Sequence, residues 1–116
     1  MRIVNRSACM VKPKQPYVDW ANSLDEQEIA PDTLSGEHRV YLLPEWDDAP
    51  QFQRWLRKNY LTIFENELQA MWQDETDWPA IRDYKTFRAW FDIEYGSEVF
   101  DLSGRPLEAE GESASP

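Results

Sequence analysis

Chemistry in this chain would have to come from carboxylates and tryptophans, because the usual reactive side chains are nearly absent. His38 is the only histidine and Cys9 the only cysteine in 116 residues. A tetrahedral zinc site of the ordinary kind therefore cannot be assembled. No EF-hand spacing of acids occurs, and "DTLSGEH" is a loop with two acids rather than a calcium loop. There is no G-x-S-x-G and no Gly-rich phosphate loop, since the four glycines are scattered. Cys9 lies inside the apolar run "SACMVK", where a thiol behaves as a small hydrophobe. His38 precedes a strand-like segment and reads as a solvated side chain. The sequence assigns no catalytic, cofactor-binding or metal-ligating residue, and no cofactor.

The carboxylates give one candidate. Glu67 projects inside the apolar sector of a long helical pattern, between Ile63, Phe64 and Met71. A carboxylate buried there needs a partner, and Arg82 or Arg88 from the following segment can supply a two-pronged one. The structural role, an internal ion pair or a helix edge reached by water, is favoured over catalysis. A structural pair predicts that Glu67→Gln lowers the melting temperature by several degrees. Asp92 and Glu94 are two apart, so on a helix they point away from each other and act together only if the helix has already ended. Glu94 and Glu98 flank Gly96 and converge only through a turn.

Tryptophan gives the second set. Trp20, Trp55, Trp72 and Trp90 fall at apolar helical positions and read as core. Trp46 and Trp78 sit in acidic connectors beside prolines. Each either folds back as a lid on the core or stands in solvent as a contact residue of the kind that anchors protein interfaces. Glu45, Trp46 and Asp47, with Trp78, are the candidate partner-binding residues.

The elements that position these residues are readable in outline. "SACMVK" (7–12) reads as a strand buried on both faces, with residues 2–6 as a more polar extension. "QPYVDWANSL" has Pro16 near its first turn and Tyr17, Trp20, Ala21 and Leu24 at helical spacing. Residues 25–38 read as a polar loop, with one helical turn near Thr33. "RVYLLPE" (39–45) is a strand stopped by Pro44. A helix then runs from Pro50 to about Gln73, with Asp48 as N-cap and Gln51 at the capping-box position. Asp83 caps a further helix, "YKTFRAWFDIEY", ended by Gly96. "SEVFDLS" reads as a last short strand.

The order β-α-β-α-α-β predicts a single α+β domain over residues 1–102, a small three-stranded sheet packed against helices. Residues 103–116 read as a disordered acidic tail. A parallel pairing of the first two strands would require a right-handed crossover; strand directions are left open.

Composition narrows the function classes. The net charge is −10, yet Arg2, Arg6, Lys12 and Lys14 are the only charged residues through position 14. That leaves 22 acids against 8 bases in the remainder, a net of −14. Such a body repels phosphate backbones, which disfavours direct DNA or RNA binding. No apolar stretch is long enough for a membrane span or a signal peptide, and a lone cysteine suits a reducing compartment, so a cytoplasmic protein is expected. Acidity either keeps the protein soluble or presents a surface to a basic partner.

The blocks "PKQPYVDW", "YLLPEW", "FQRWL", "IFENELQAMW" and "DWPAIRDYKTFRAWFDIEYGSEVFDL" together resemble a family of short acidic bacterial proteins of uncharacterised activity. The resemblance covers roughly residues 5–102. It implies a bacterial, cytoplasmic source and one domain, and it supplies no catalytic residues.

Three functions follow in order of expectation. The first is a small non-enzymatic acidic module that binds a protein partner through Glu45, Trp46, Asp47 and Trp78; a homodimer through the apolar helix face around Tyr60, Phe64, Leu68 and Trp72 belongs with it. The second is a nucleic-acid-mimicking or antitoxin-like inhibitor, which needs carboxylates spaced regularly on one exposed face. The third is an enzyme that works with carboxylates alone, which needs two acids of raised pKa in one pocket.

Overall fold

The segment Ser7–Pro13 (β2) forms the middle of the sheet in the computed structural model, which describes residues 1–24 and 38–110. The expected loop over 25–38 lies outside the described residues except for His38, and so does the expected tail from residue 111. Arg39–Leu43 (β3) and Phe91–Gly96 (β4) flank β2, both antiparallel, in the order β3-β2-β4. Cys9 stands opposite Tyr41 on one side and Tyr95 on the other. A right-handed parallel crossover is therefore not needed.

β2 alternates rather than being buried on both faces: Ser7, Cys9 and Val11 are buried, while Ala8, Met10 and Lys12 are partly covered. Period-two side-chain direction means that only one face meets the helices. Arg2–Val4 (β1) is a separate strand rather than the start of β2. It pairs antiparallel with Val99–Asp101 (β5), as a two-stranded ribbon tied by Arg2 and Asp101 at 2.9 Å.

Among the described residues, three α-helices cover the inner face. Gln15–Leu24 (α1) buries Tyr17, Val18 and Ala21. Ala49–Met71 (α2) buries Phe52, Leu56, Ile63, Phe64, Glu67 and Leu68. It begins where Asp48 accepts a hydrogen bond from the Gln51 N–H at 2.9 Å, with Pro50 in the first turn. The Gln51 side chain reaches back to the Asp47 N–H at 2.8 Å, so two otherwise orphaned donors are satisfied. Asp48→Ala is expected to cost about 1 kcal/mol of unfolding free energy in urea titrations. An unchanged midpoint would show that the cap adds nothing beyond water.

Tyr84–Trp90 (α3) starts at the expected cap, where Asp83 accepts from the Thr86 N–H at 2.8 Å. It ends earlier than its sequence suggests. Residues 91–96, read as helix, are instead the strand β4. Phe91 and Ile93 face the core while Asp92 and Glu94 point outward, and six consecutive residues find partners along β2. Tertiary pairing overrides a helical spacing that the aromatic residues also satisfied.

The core lies between the sheet and the helices. Cys9, Val11, Leu43 and Phe91 meet Phe52, Leu56, Ile63, Phe64, Leu68 and Phe87. Phe64 packs within 5.7 to 5.8 Å of Phe87, Trp90 and Phe91. The helix face proposed for a homodimer is occupied inside the chain. Phe64 and Leu68 are fully buried, Tyr60 packs on Tyr84 and Phe87, and Trp72 donates to Asp77. Self-association through this face would have to displace these contacts.

Candidate functional site

Trp46 folds back onto the core, while its acidic neighbours stay in solvent. Trp46 is 8% exposed and lies 4.6 Å from Phe52 and 5.9 Å from Tyr95. Its backbone N–H donates to the Ser7 hydroxyl at 3.3 Å, and that hydroxyl donates to the Ser97 carbonyl at 3.0 Å. An aromatic two residues ahead of the N-cap that packs on the fourth helical residue plays the part of a hydrophobic staple, shifted by one position, and sets the entry angle of the chain. Glu45 and Asp47 remain exposed, with Asp47 tied to Gln51. Trp46 is thus largely buried rather than standing in solvent.

Glu67 is buried as expected, at 1% exposure, but its partners differ. Arg39 of β3 approaches one carboxylate oxygen at 3.3 Å, and the Tyr41 hydroxyl donates to the other. Asn66 donates to the Tyr41 oxygen at 2.9 Å, and the Tyr17 hydroxyl donates to the backbone carbonyl of Glu67 at 2.8 Å. Arg82 and Arg88 are used elsewhere: Arg82 donates to the Pro79 carbonyl and Arg88 to the Tyr84 hydroxyl. The sheet brings Arg39 to Glu67 of α2, while Arg88 stays with Tyr84 on its own helix.

Burial pushes the Glu67 carboxyl above its usual range, against the opposing pull of the Tyr41 hydrogen bond and of Arg39. Desolvation also raises Tyr41. Carboxylate-only catalysis needs a second raised acid. Four other carboxylates move the other way, each held down by hydrogen bonds: Asp74 by Thr76, Asp83 by Thr86, Glu94 by Lys12 and Asp101 by Ser103. Because β4 is a strand, Asp92 and Glu94 do share a face. Each meets a lysine there, Lys14 at 3.9 Å and Lys12 at 2.9 Å, which makes them a surface ladder.

Trp78 stands in a different setting. It is half-buried, donates its indole N–H to the Trp72 carbonyl at 2.8 Å, and has the Arg82 guanidinium 5.8 Å from its ring centre. It forms one wall of an open cavity of about 360 Å³. Thr62, Glu65, Asn66 and Gln69 of α2 form the floor, because spacings of three and four place them on one helix face. Glu75 enters from a 3-10 turn, Glu75–Asp77, whose start is capped by Asp74. Tyr41 of β3 closes the site, its hydroxyl held by Glu67 and Asn66. No Lys or Arg is among the described lining residues, so Glu65 and Glu75 put negative charge at the opening, with Arg82 5.8 Å from the Trp78 ring centre and Arg39 paired with Glu67 as the nearby cations.

Sequence reading found Trp78 but not Tyr41, Glu65 or Glu75. Glu65 lies on a polar helix stripe and Glu75 in an acidic connector, and both look like solvated surface until the fold places them around one opening. A second depression of about 210 Å³, on the outer sheet face, is lined by Ala8, Met10, Val40 and Gly96 among others and carries little polarity.

Cys9 is buried at 1% exposure, and burial pushes its thiol up to about 11, as an inert core thiol requires. The His38 Nδ1 atom finds no hydrogen-bond partner among the described residues. Among those residues no group of three or more His, Cys, Asp and Glu is arranged to hold a metal ion, and no helix is long and apolar enough to cross a membrane. No known protein family, curated protein or solved structure matches this chain, so what the site does has to be argued from its geometry.

Proposed function

We propose that this protein is a small non-enzymatic module that binds a basic segment of a protein partner, with a Lys or Arg side chain entering the Trp78 cavity. The observation that carries this reading is the lining: Glu65 and Glu75 supply negative charge beside the rings of Trp78 and Tyr41, and no described lining residue supplies a cation. A cation over an aromatic face gains about 0.5–2 kcal/mol, more when it is desolvated. The net charge of −10 adds long-range attraction for basic partners. The free, buried thiol of Cys9 favours a cytoplasmic setting.

The inhibitor that imitates nucleic acid has less support. It needs an uninterrupted row of free carboxylates, and Asp92, Glu94 and Asp101 are each met by a basic side chain.

The test is an array of immobilised random-sequence peptides probed with the labelled protein. Retained peptides are expected to be enriched in Lys and Arg. Trp78→Ala, and separately Glu65→Gln with Glu75→Gln, should reduce retention about tenfold, or ~1.4 kcal/mol, with melting curves still cooperative. Retention of acidic or purely apolar peptides, or indifference to these substitutions, contradicts the proposal.

A further inference from the structure

Among the described residues β3 is an edge strand, and its only charge is Arg39 at its start. It lies outermost in the order β3-β2-β4, paired on one side only among the described residues. Natural edges are blunted by charges, prolines or bulges that prevent another strand from pairing. The opposite edge, β4, carries Asp92 and Glu94. In β3 the interior residues Val40, Tyr41 and Leu42 are uncharged, the register against β2 runs unbroken over five residues, and Pro44 comes only after the strand has ended.

The edge and the cavity meet at one residue. Tyr41 is the middle of β3 and also lines the cavity beside α2. Side chains of a strand alternate between faces, and neighbouring strands share that alternation. A strand added to β3 would therefore direct one side chain toward the face of Tyr41, where Glu65, Glu75 and Trp78 lie. Its flanking side chains would fall on the outer face, next to Val40 and Leu42, which are 58% and 48% exposed.

Resting on the binding function proposed above, we infer that the partner adds to the edge of β3 as an extended strand of pattern apolar–Lys/Arg–apolar. The basic side chain fills the Trp78 cavity and the apolar pair covers Val40 and Leu42. Main-chain hydrogen bonds then give affinity, and the cavity gives selectivity. Charge decides between this occupant and a second copy of the chain: two molecules of net charge −10 repel, while a basic strand is attracted.

The experiment takes the peptides retained on the array and methylates their backbone nitrogens one at a time, with binding to the full chain followed by titration calorimetry. Methylation at alternate positions is expected to weaken binding about tenfold each, because each removes one main-chain donor, while the intervening positions tolerate it. Hydrogen exchange at β3 backbone amides should slow on binding, with one peptide per chain. Binding that depends on Trp78 yet tolerates every methylation overturns strand addition and leaves the cavity function standing. Failure to retain any basic peptide removes both. A peptide-free dimer with protected β3 amides overturns the inference in favour of a second copy.

Discussion

Replacing Trp46 with alanine is expected to lower the unfolding free energy by about 3–5 kcal/mol, the range for truncating a large buried aromatic. The indole is 8% exposed and lies against Phe52, which is fully buried and itself stacks on Tyr95 at 4.5 Å. The truncation leaves a cavity at the junction between the end of β3, the start of α2 and the end of β4. A domain of this size has a total stability of about 5–15 kcal/mol, so the loss is a large share of it. Urea denaturation followed by fluorescence measures the change, and Trp46→Phe should recover more than half. A cost of less than about 1 kcal/mol would mean that Trp46 is a surface residue after all. Trp78→Ala, at a half-buried site, should cost clearly less stability while affecting binding more.

Glu67 gives the second large effect, and its sign differs from what the sequence implies. The folded state raises the carboxyl's pKa above 4.5, chiefly by desolvation. A carboxyl raised in this way contributes fully to stability below its unfolded pKa, and that contribution is lost as pH rises through the folded value. Wherever the carboxyl is ionised in the folded state, its charge is therefore a net cost. Glu67→Gln keeps an acceptor for the Tyr41 hydroxyl and removes the buried charge. What it loses is a pairing with Arg39, whose side chain is 50% exposed and able to return to water. The melting temperature is expected to rise by a few degrees at neutral pH, and the wild-type decline above pH 4.5 should flatten in the variant. Glu67→Ala instead should lose about 2–5 kcal/mol, because it leaves a void beside Phe64 and Leu68. A drop of several degrees for Glu67→Gln at neutral pH would show that the ion pair outweighs desolvation.

Local signals in the sequence proved dependable where one residue decides the outcome. Asp48 with Gln51, and Asp83 with its own helix start, were readable because a cap satisfies donors only three residues away. The burial of Glu67 was readable from the helix projection. Its partner was not, because Arg39 is 28 residues upstream and reaches Glu67 only once β3 has taken its place in the sheet. The strand β4 was hidden for a related reason. Phe87, Trp90 and Phe91 satisfy helical spacing, while "FDIEY" satisfies alternation, and only pairing with β2 decides between them. The ribbon of β1 and β5 joins residues 99 apart, beyond any local pattern. The cavity was half visible: Trp78 stood out as an aromatic among acids, whereas Glu65 and Glu75 acquire meaning only from sharing one opening with it.

Both tryptophans that flank prolines in acidic segments looked alike as sequence, and the fold gives them opposite roles. Trp46 holds the end of a helix in the core, and Trp78 walls an acidic opening. Indole N–H resonances of the six tryptophans, followed by two-dimensional NMR during titration with a Lys-containing peptide retained on the array, test that division most directly. The Trp78 resonance is expected to shift in proportion to saturation while Trp46 stays in place. Movement of Trp46 with Trp78 unchanged would contradict the account.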